Sequence, residues 1–368
     1  MLDESTLAAW LRLESVPGLG PANLRALLAA FGNVDAILAA HPQQLVPWIG
    51  ERLAQAIALS ATNPASQLLI ESTLTWLKQP GNHFLPCTCA QYPPQLRELP
   101  DAPAWLYVKG DPAWLQRPML AVVGSRYATP QGLRDATAFA QALSEAGLTI
   151  ISGLALGVDA AAHEGGLSGL GSSIAVVGTG LDRVYPARNR TLAHRLAEQG
   201  ALVSEFPLGT PPKTGHFPRR NRLISGLSNG VLVIEAALES GSLITARLAA
   251  EQGREVFALP GSIHSPLSKG CHRLIREGAK LVDSANDVLE ELAGRLRFHS
   301  QADTMDDDKP EETVADPLLD ALATTSLTMD QLAERLSLTV EALSVRLLSA
   351  EMDGCIARLP GGLYQRIY

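Results

Sequence analysis

The sequence predicts an α/β chain built on a doubly wound, mostly parallel sheet, with a small helical N-terminal domain before it and a C-terminal winged-helix domain behind it. Three observations predict this. Short continuous apolar runs alternate with helical segments between residues 119 and 282, the pattern of strands covered on both faces by helices. The first 60 residues carry apolar side chains at helical spacing on either side of a Pro-Gly-Leu-Gly turn. An acidic stretch without periodicity then precedes a tail in which helical spacing and a hairpin return. The boundaries drawn from these changes are a helical domain over 1–75, a sheet domain over 76–293, a disordered acidic linker over 294–316 and a winged helix over 317–368.

In the first domain, Leu7, Trp10, Leu11 and Leu13 lead into Ser15-Val-Pro-Gly-Leu-Gly-Pro21, and Asn23–Phe31 resumes helical spacing. A Gly-rich turn between two helices reads as a helix-hairpin-helix of the SAM-like kind, whose backbone N–H groups can hold a phosphate. Trp48-Ile-Gly-Glu51 reads as the start of a degenerate second copy. Only Arg12 and Arg25 flank the first turn, which favours a plain packing unit. Leu68–Trp76 continues as helix, Cys87–Pro103 is Pro-rich and irregular, and Ala104–Gly110 reads as a strand.

The buried-strand candidates that follow are Met119–Gly124, Leu148–Ser152, Ser173–Gly178, Ala201–Glu205, Val231–Glu235, Glu255–Leu259 and Ala279–Val282, with a helix over about 130–146. Right-handed crossovers make this a Rossmann-like sheet and bring the loops after the strands to one edge, where such folds bind ligands. In the tail, Thr328–Leu336 and a helix ending at Met352 precede Cys355–Leu359, Pro360-Gly-Gly362 and Leu363–Ile367, which read as a hairpin. The second helix carries Glu341, Arg346 and Glu351, an acidic balance that counts against reading duplex DNA.

Composition narrows the function. With 368 residues, 46% apolar and 18% charged, the chain is globular, of two or three domains. No apolar run reaches membrane-spanning length, and Met-Leu-Asp-Glu is no signal peptide, so a cytoplasmic location is expected. Cys87, Cys89, Cys271 and Cys355 are scattered; the C-x-C pair is too tight for a zinc knuckle and lacks a second pair, so no metal and no cofactor are expected. A formal net charge of −8 excludes a chain coated in nucleic acid but allows one basic groove.

Such a groove is suggested by Lys213-Thr-Gly-His-Phe-Pro-Arg-Arg-Asn-Arg222. No carboxylate occurs between Glu205 and Glu235, while Lys213, Arg219, Arg220 and Arg222 surround Phe217. Guanidinium groups hold phosphates and an aromatic ring stacks on a base, so the stretch suits a flexible single-stranded polyanion. A self-solvating Arg-rich helix start fits the local residues equally well. The other unusual residues also follow strands. Gly124, Ser125, Gly153, Gly178 and Gly180 offer close backbone approach, and Ser240, Gly241 and Ser242 a helix start, as candidate phosphate sites. Capping alone accounts for Ser240 and Ser242. Asp159 and His163 share a helix face but have no third ligand beside them, so a structural hydrogen bond is expected there.

Taken together, Val-Val-Gly-Ser-Arg126, Ser152-Gly-Leu-Ala-Leu-Gly-Val-Asp-Ala-Ala-Ala-His163, Gly180-Leu-Asp-Arg-Val-Tyr-Pro186, Ser204-Glu-Phe-Pro207, Phe217-Pro-Arg-Arg-Asn-Arg222 and Ser240-Gly-Ser-Leu-Ile-Thr-Ala246 resemble the motifs of the DNA-processing protein A family (DprA, also called Smf). The resemblance covers most of the chain and is strongest from 119 to 282. It implies a protein without known catalysis that binds single-stranded DNA, dimerises through its α/β domain and loads the recombinase RecA in natural transformation. It also implies that Arg126 clamps a phosphate, Lys213 is the basic residue before the Phe-Pro motif, Phe217 stacks, and Arg220, Asn221 and Arg222 form the Arg-Asn-Arg turn. A dimer contact is implied around Ile263–Leu274. A strand neutralised by Arg126, Lys213, Arg220 and Arg222 would show a salt slope near −3.

Two other readings remain at this level. A nucleotide-binding hydrolase of the lysine-decarboxylase-like kind would use the same sheet edge, but that loop reads Pro-Gly-Gly-x-Gly-Thr where this chain has Pro260-Gly-Ser262, and no Walker loop occurs. A ligand-sensing transcription regulator would use the winged helix. Arg126 also has a structural alternative, an ion pair with Asp159 or Glu205.

Overall fold

A computed structural model describes residues 3–302 and, in the tail, 321–322, 327–336, 338–339, 343–344, 346–347, 350, 356–359 and 363–366. The chain divides into two compact units, 1–298 and 299–368.

Five helices open the first unit: α1 (Glu4–Glu14), α2 (Pro21–Phe31), α3 (Val34–Ala39), α4 (Pro42–Leu59) and α5 (Pro64–Leu77). Asp3 caps α1 and Asn63 caps α5, each accepting an amide of the first turn. Gly18, at a φ of 85°, makes the turn between α1 and α2. Gly50 breaks α4 at a φ of 79°, so Trp48-Ile-Gly-Glu51 joins two helical pieces. Trp10 of α1 and Trp76 of α5 enter one aromatic cluster with Phe84, Trp105 and Tyr107, which lie on the sheet's first two strands. The helical segment therefore shares a core with the sheet and belongs to the same compact unit.

The sheet has nine strands in the order β1-β2-β6-β5-β4-β3-β7-β8-β9. They are β1 (Asn82–Pro86), β2 (Trp105–Gly110), β3 (Met119–Gly124), β4 (Thr149–Ser152), β5 (Ser173–Val176), β6 (Ala201–Ser204), β7 (Gly230–Ile234), β8 (Glu255–Ala258) and β9 (Lys280–Leu281). The seven from β3 onward pair in parallel; β2 runs antiparallel to β1 and β6. The sequence reading missed β1, because Asn-His-Phe-Leu-Pro lacks β-branched residues and has neither strict alternation nor a continuous apolar run.

Helices α7 (Pro130–Glu145), α8 (Val158–Ser168), α9 (Arg190–Gln199) and α13 (Ala285–Ala302) cover one face, and α10 (His216–Leu227), α11 (Gly241–Glu251) and α12 (Lys269–Arg276) the other; the short α6 (Pro94–Arg97) packs on α10. Cover on both faces is why Leu120, Val122, Val231 and Val233 are all fully buried, each worth about 1.5–3 kcal/mol of transfer energy. β3 lies between β4 and β7, and α7 and α11 leave on opposite faces, which makes the β3/β7 crevice the switch point of the sheet.

The first part of the linker expected over 294–316 is helical. α13 continues through Ala302, in line with the helical spacing of Leu289, Leu292 and Leu296; 303–316 lies outside the described residues. The second unit holds β10 (Leu327–Thr328), α14 (Met329–Leu336), β11 (Ile356–Leu359) and β12 (Leu363–Arg366), with a sheet ordered β10-β12-β11. β11 and β12 form the expected hairpin. Leu322, Leu332, Leu343, Leu347, Ile356 and Tyr364 make its core. Glu341 and Glu351 lie outside the described residues.

Candidate nucleic-acid interface

The strand-end loops meet at one edge, and their backbone donors are largely taken by the protein itself. After β4, Gly153 N (3.1 Å) and Ala155 N (3.3 Å) donate to Asp159 Oδ2, and Leu154 N donates to His163 Nε2 at 3.3 Å. The other nitrogen of His163, Nδ1, lies 2.7 Å from Ser173 Oγ. Burial, aided by the nearby Arg220 charge, lowers His163 to about 3, so the ring is neutral. Asp159 and His163 are thus the structural hydrogen-bonding pair expected.

After β3, Ser125 Oγ accepts from Tyr127 N at 3.1 Å, and Ser125 O from Val158 N at 3.1 Å. A Cβ on Gly124 would stand 1.8 Å from Ile234 O, so this glycine serves the closeness of β3 and β7. A Cβ on Gly153 would fall 2.2 Å from Arg220 Nη1. After β5, Gly180 N donates to Thr210 O at 3.1 Å. Gly178 lets His216 and Phe217 approach, and its carbonyl lies 3.1 Å from His216 Nδ1. Ser240 Oγ accepts from Ser242 N at 3.3 Å and caps α11; Gly241 has open space around it. The expectation of free N–H groups for phosphates at Gly153, Gly180 and Ser242 is therefore corrected. Buried or half-buried donors must find partners, and internal carboxylates, carbonyls and hydroxyls supply them.

The switch point repeats this logic. Glu235 follows β7 at a φ of 52°, a left-handed conformation that costs a side-chain-bearing residue of order 1 kcal/mol. Its carboxylate accepts from Thr129 N (2.7 Å) and Thr129 Oγ1 (2.5 Å) at the start of α7. A Cβ on Gly132 would lie 2.4 Å from that carboxyl carbon. A carboxylate of the chain thus occupies the helix start where this class of fold places a nucleotide phosphate.

The candidate basic residues divide into two sets. Arg220 and Arg222 are buried. Arg220 Nη1 donates to the carbonyls of Gly153 and Val176, tying α10 to the ends of β4 and β5. Burial pulls Arg220 down to about 10, with Asp159 opposing the loss of charge. Arg222 pairs with buried Glu205, lies 3.4 Å from Asp101 and donates to Asp101 O at 2.8 Å. Arg219 is half exposed but lies 3.1 Å from Glu205. The carboxylate that opens the carboxylate-free interval, Glu205, thus pairs with two of its arginines, and Asn221 is half-buried on the same helix. The correction has a simple cause: consecutive helical residues point to different faces, so a linear run of arginines is not a patch.

The second set is exposed. Arg126 and Lys213 have no carboxylate partner among the described residues, so the alternative pairing of Arg126 with Asp159 or Glu205 does not form. The Arg126 guanidinium carbon sits 5.6 Å over the centre of the half-buried Phe217 ring, and Tyr185 packs against the same ring at 5.9 Å. Tyr127 projects beside Arg126, 87% exposed. Tyr185 and Tyr127 were not among the predicted site residues, although Tyr185 belongs to the Gly180–Pro186 motif and Tyr127 directly follows Arg126. Folding also brings Arg52 to the first hairpin turn, where a methyl on Gly18 would be 3.7 Å from its Nη2. Arg25 is spent on the carbonyls of Leu99 (3.1 Å) and Pro100 (2.6 Å). Among the described residues, no group of acidic, His and Cys side chains could hold a metal, and no helix is long and apolar enough to cross a membrane.

Comparison with known proteins bears on this geometry. Residues 83–293 match the family model of DNA recombination-mediator protein A, 302–362 that of the DprA winged helix domain, and 11–63 a SAM-like helix-hairpin-helix tandem. The chain is 48% identical to Protein Smf of Escherichia coli over 298 residues, 80% of each chain. It is 50% identical to DNA processing protein DprA of Streptococcus pneumoniae over 201 residues, 55% of this chain and 71% of that one. The crystal structure of the pneumococcal protein matches with a TM-score of 0.67 at 38% identity, over 79% of this chain and 98% of that one. DNA processing protein A of Helicobacter pylori, whose structure was reported for its single-stranded DNA binding mode, matches with a TM-score of 0.53 at 31% identity, over 58% of this chain and 97% of that one.

Proposed function

The chain belongs to the DprA/Smf family of DNA-processing proteins, and from that premise we propose that it binds single-stranded DNA across the carboxyl edge of its sheet and loads RecA on it during natural transformation. One observation carries the DNA reading: Arg126, exposed and without a carboxylate partner among the described residues, lies over Phe217, and Lys213 is exposed just before α10. Two cations and an aromatic ring meet the needs of an unpaired strand, charge for phosphate and a π-face for a base. Base identity enters little into such contacts, so sequence preference is slight.

The loss of Arg220 and Arg222 from the exposed set changes the number. The two that remain exposed, Arg126 and Lys213, give a salt slope of about −1.4 for an oligonucleotide confined to one protomer, at about 0.7 per phosphate, rather than −3. Fluorescence anisotropy with a short labelled dT strand tests this, with duplex of equal length as competitor. The proposal expects single strands to win, Arg126→Ala to reduce the slope by about 0.7, and Phe217→Ala to weaken binding at unchanged slope. Equal binding of duplex, or no effect of either substitution, would falsify it.

The nucleotide-hydrolase reading is weaker, and we propose no catalytic role. A nucleotide phosphate at the switch point would meet the Glu235 carboxylate, and one on the β4 loop would meet Asp159. We further propose that a second copy of the chain covers the α11–α12 side. A groove of about 690 Å³ lined by Leu243, Val256, Leu274 and Ala279 opens there, and Ile263 is 66% exposed within the Ile263–Leu274 region. Sedimentation of Ile263→Asp as a monomer at concentrations where the parent is a dimer would support it.

A further inference from the structure

We propose that Tyr185 is a second nucleobase-stacking residue of this edge; the inference rests on the single-stranded DNA reading above. Phe217 alone offers little free surface. It is half-buried, the Arg126 guanidinium lies over its ring, and Tyr185 packs against it at 5.9 Å with a 37° tilt. A base inserted between two parallel rings needs roughly 7 Å between centres, twice the ~3.5 Å contact distance. The gap is too small, so a base arriving here lies on the outer face of Tyr185, or on Phe217 only after Arg126 has left for a phosphate.

Tyr185 is 48% exposed and held in place. Its loop is tied on one side by Asp182 Oδ1, which accepts from Gly209 N at 2.8 Å, and by Gly180 N on Thr210 O. On the other side Asn189 Nδ2 donates to Leu154 O at 2.9 Å. Leu181 and Val184 pack into the core, so the chain turns Tyr185 outward. A pinned aromatic side chain loses little freedom on binding, and its ring contributes apolar contact and a π-face without added charge.

The test uses the full chain with a dT oligonucleotide and an abasic strand of equal length. Tyr185→Ala should weaken dT binding about 5- to 150-fold, the range of one lost base stack. Tyr185→Phe should stay within about twofold of the parent, since the ring is kept. Neither should alter the salt slope or the affinity for the abasic strand, and thermal unfolding of both variants verifies the fold. Parental dT binding by Tyr185→Ala, while Arg126→Ala and Phe217→Ala lose it, overturns the inference and leaves the DNA reading intact. Equal losses on dT and abasic strands also overturn it, because Tyr185 would then serve only the loop's shape. Parental binding by all three variants overturns the DNA reading itself and this inference with it.

Discussion

Glu235 lays its carboxylate on Thr129, accepting both its amide and its hydroxyl at the entrance to α7. The contact joins the loops after β7 and β3 across the switch point and neutralises the positive end of a helix. Glu235 itself is held at φ 52°, and that local backbone cost is offset by two charge-assisted hydrogen bonds.

Glu235→Ala should therefore lower stability by about 1–3 kcal/mol. It should also expose the helix start to solvent anions. Urea unfolding in chloride and in phosphate separates the two effects: the variant should regain stability in phosphate, and the parent should not. Equal stability of variant and parent in chloride would show that the carboxylate does not cap α7.

The two sets of basic residues should separate by assay. Arg126→Ala should change stability by less than about 0.5 kcal/mol, because its side chain is exposed, while reducing single-strand affinity. Arg222→Ala should cost about 3 kcal/mol, near the low end for a broken buried pair, because Arg219 still faces Glu205. Denaturant unfolding beside anisotropy on the folded fraction measures both. An unchanged unfolding midpoint for Arg222→Ala would return Arg222 to the candidate binding residues.

Two buried groups should give opposite pH slopes. Burial raises the Glu14 carboxyl, whose Oε2 accepts from the Tyr107 hydroxyl at 2.5 Å, to about 8. The folded chain then holds a proton that the unfolded chain gives up above about 4.5, so this group's contribution falls as pH rises from about 4.5 to 8. His163, at about 3, stays neutral when folded while the unfolded ring protonates below 6.5, so its contribution falls as pH drops from 6.5 to about 3. Relative to the parent, Glu14→Gln should lose the first slope and His163→Gln the second. Each slope is limited to about 1.4 kcal/mol per pH unit. Parallel stability–pH curves for parent and Glu14→Gln would show that Glu14 titrates alike in both states.

Glycines read alike in the sequence should respond differently. Gly124→Ala places a Cβ 1.8 Å from Ile234 O, forcing β3 from β7, and should cost about 3 kcal/mol or leave no soluble protein. Gly241→Ala meets nothing within 4 Å at the start of α11 and should be neutral or stabilising by up to about 1 kcal/mol. Melting temperatures of the two variants check the contrast; a Gly124→Ala variant as stable as the parent would contradict the strand spacing.

The sheet was legible because its evidence is local and periodic. Runs such as Met119–Gly124 and Val231–Glu235 must be apolar throughout when helices cover both faces, and the observed strands fall within a residue or two of those runs. β1 escaped because Phe84 is buried against Trp105 and Tyr107 on the neighbouring strand, which a five-residue window does not contain.

At the candidate interface, sequence alone determined which residue types reach the carboxyl edge, since every strand in a parallel sheet ends on the same side. It named Arg126, Lys213 and Phe217, which are exposed or half-buried at that edge. What only the tertiary structure decided is which charges and donors remain available. Glu205 and Arg222 are separated by most of a loop and a helix turn yet pair directly; Glu235 reaches Thr129 across more than a hundred residues; Arg220 fills the space beside Gly153. Electrostatic and hydrogen-bond partners are chosen by distance in space, which a linear charge count does not contain.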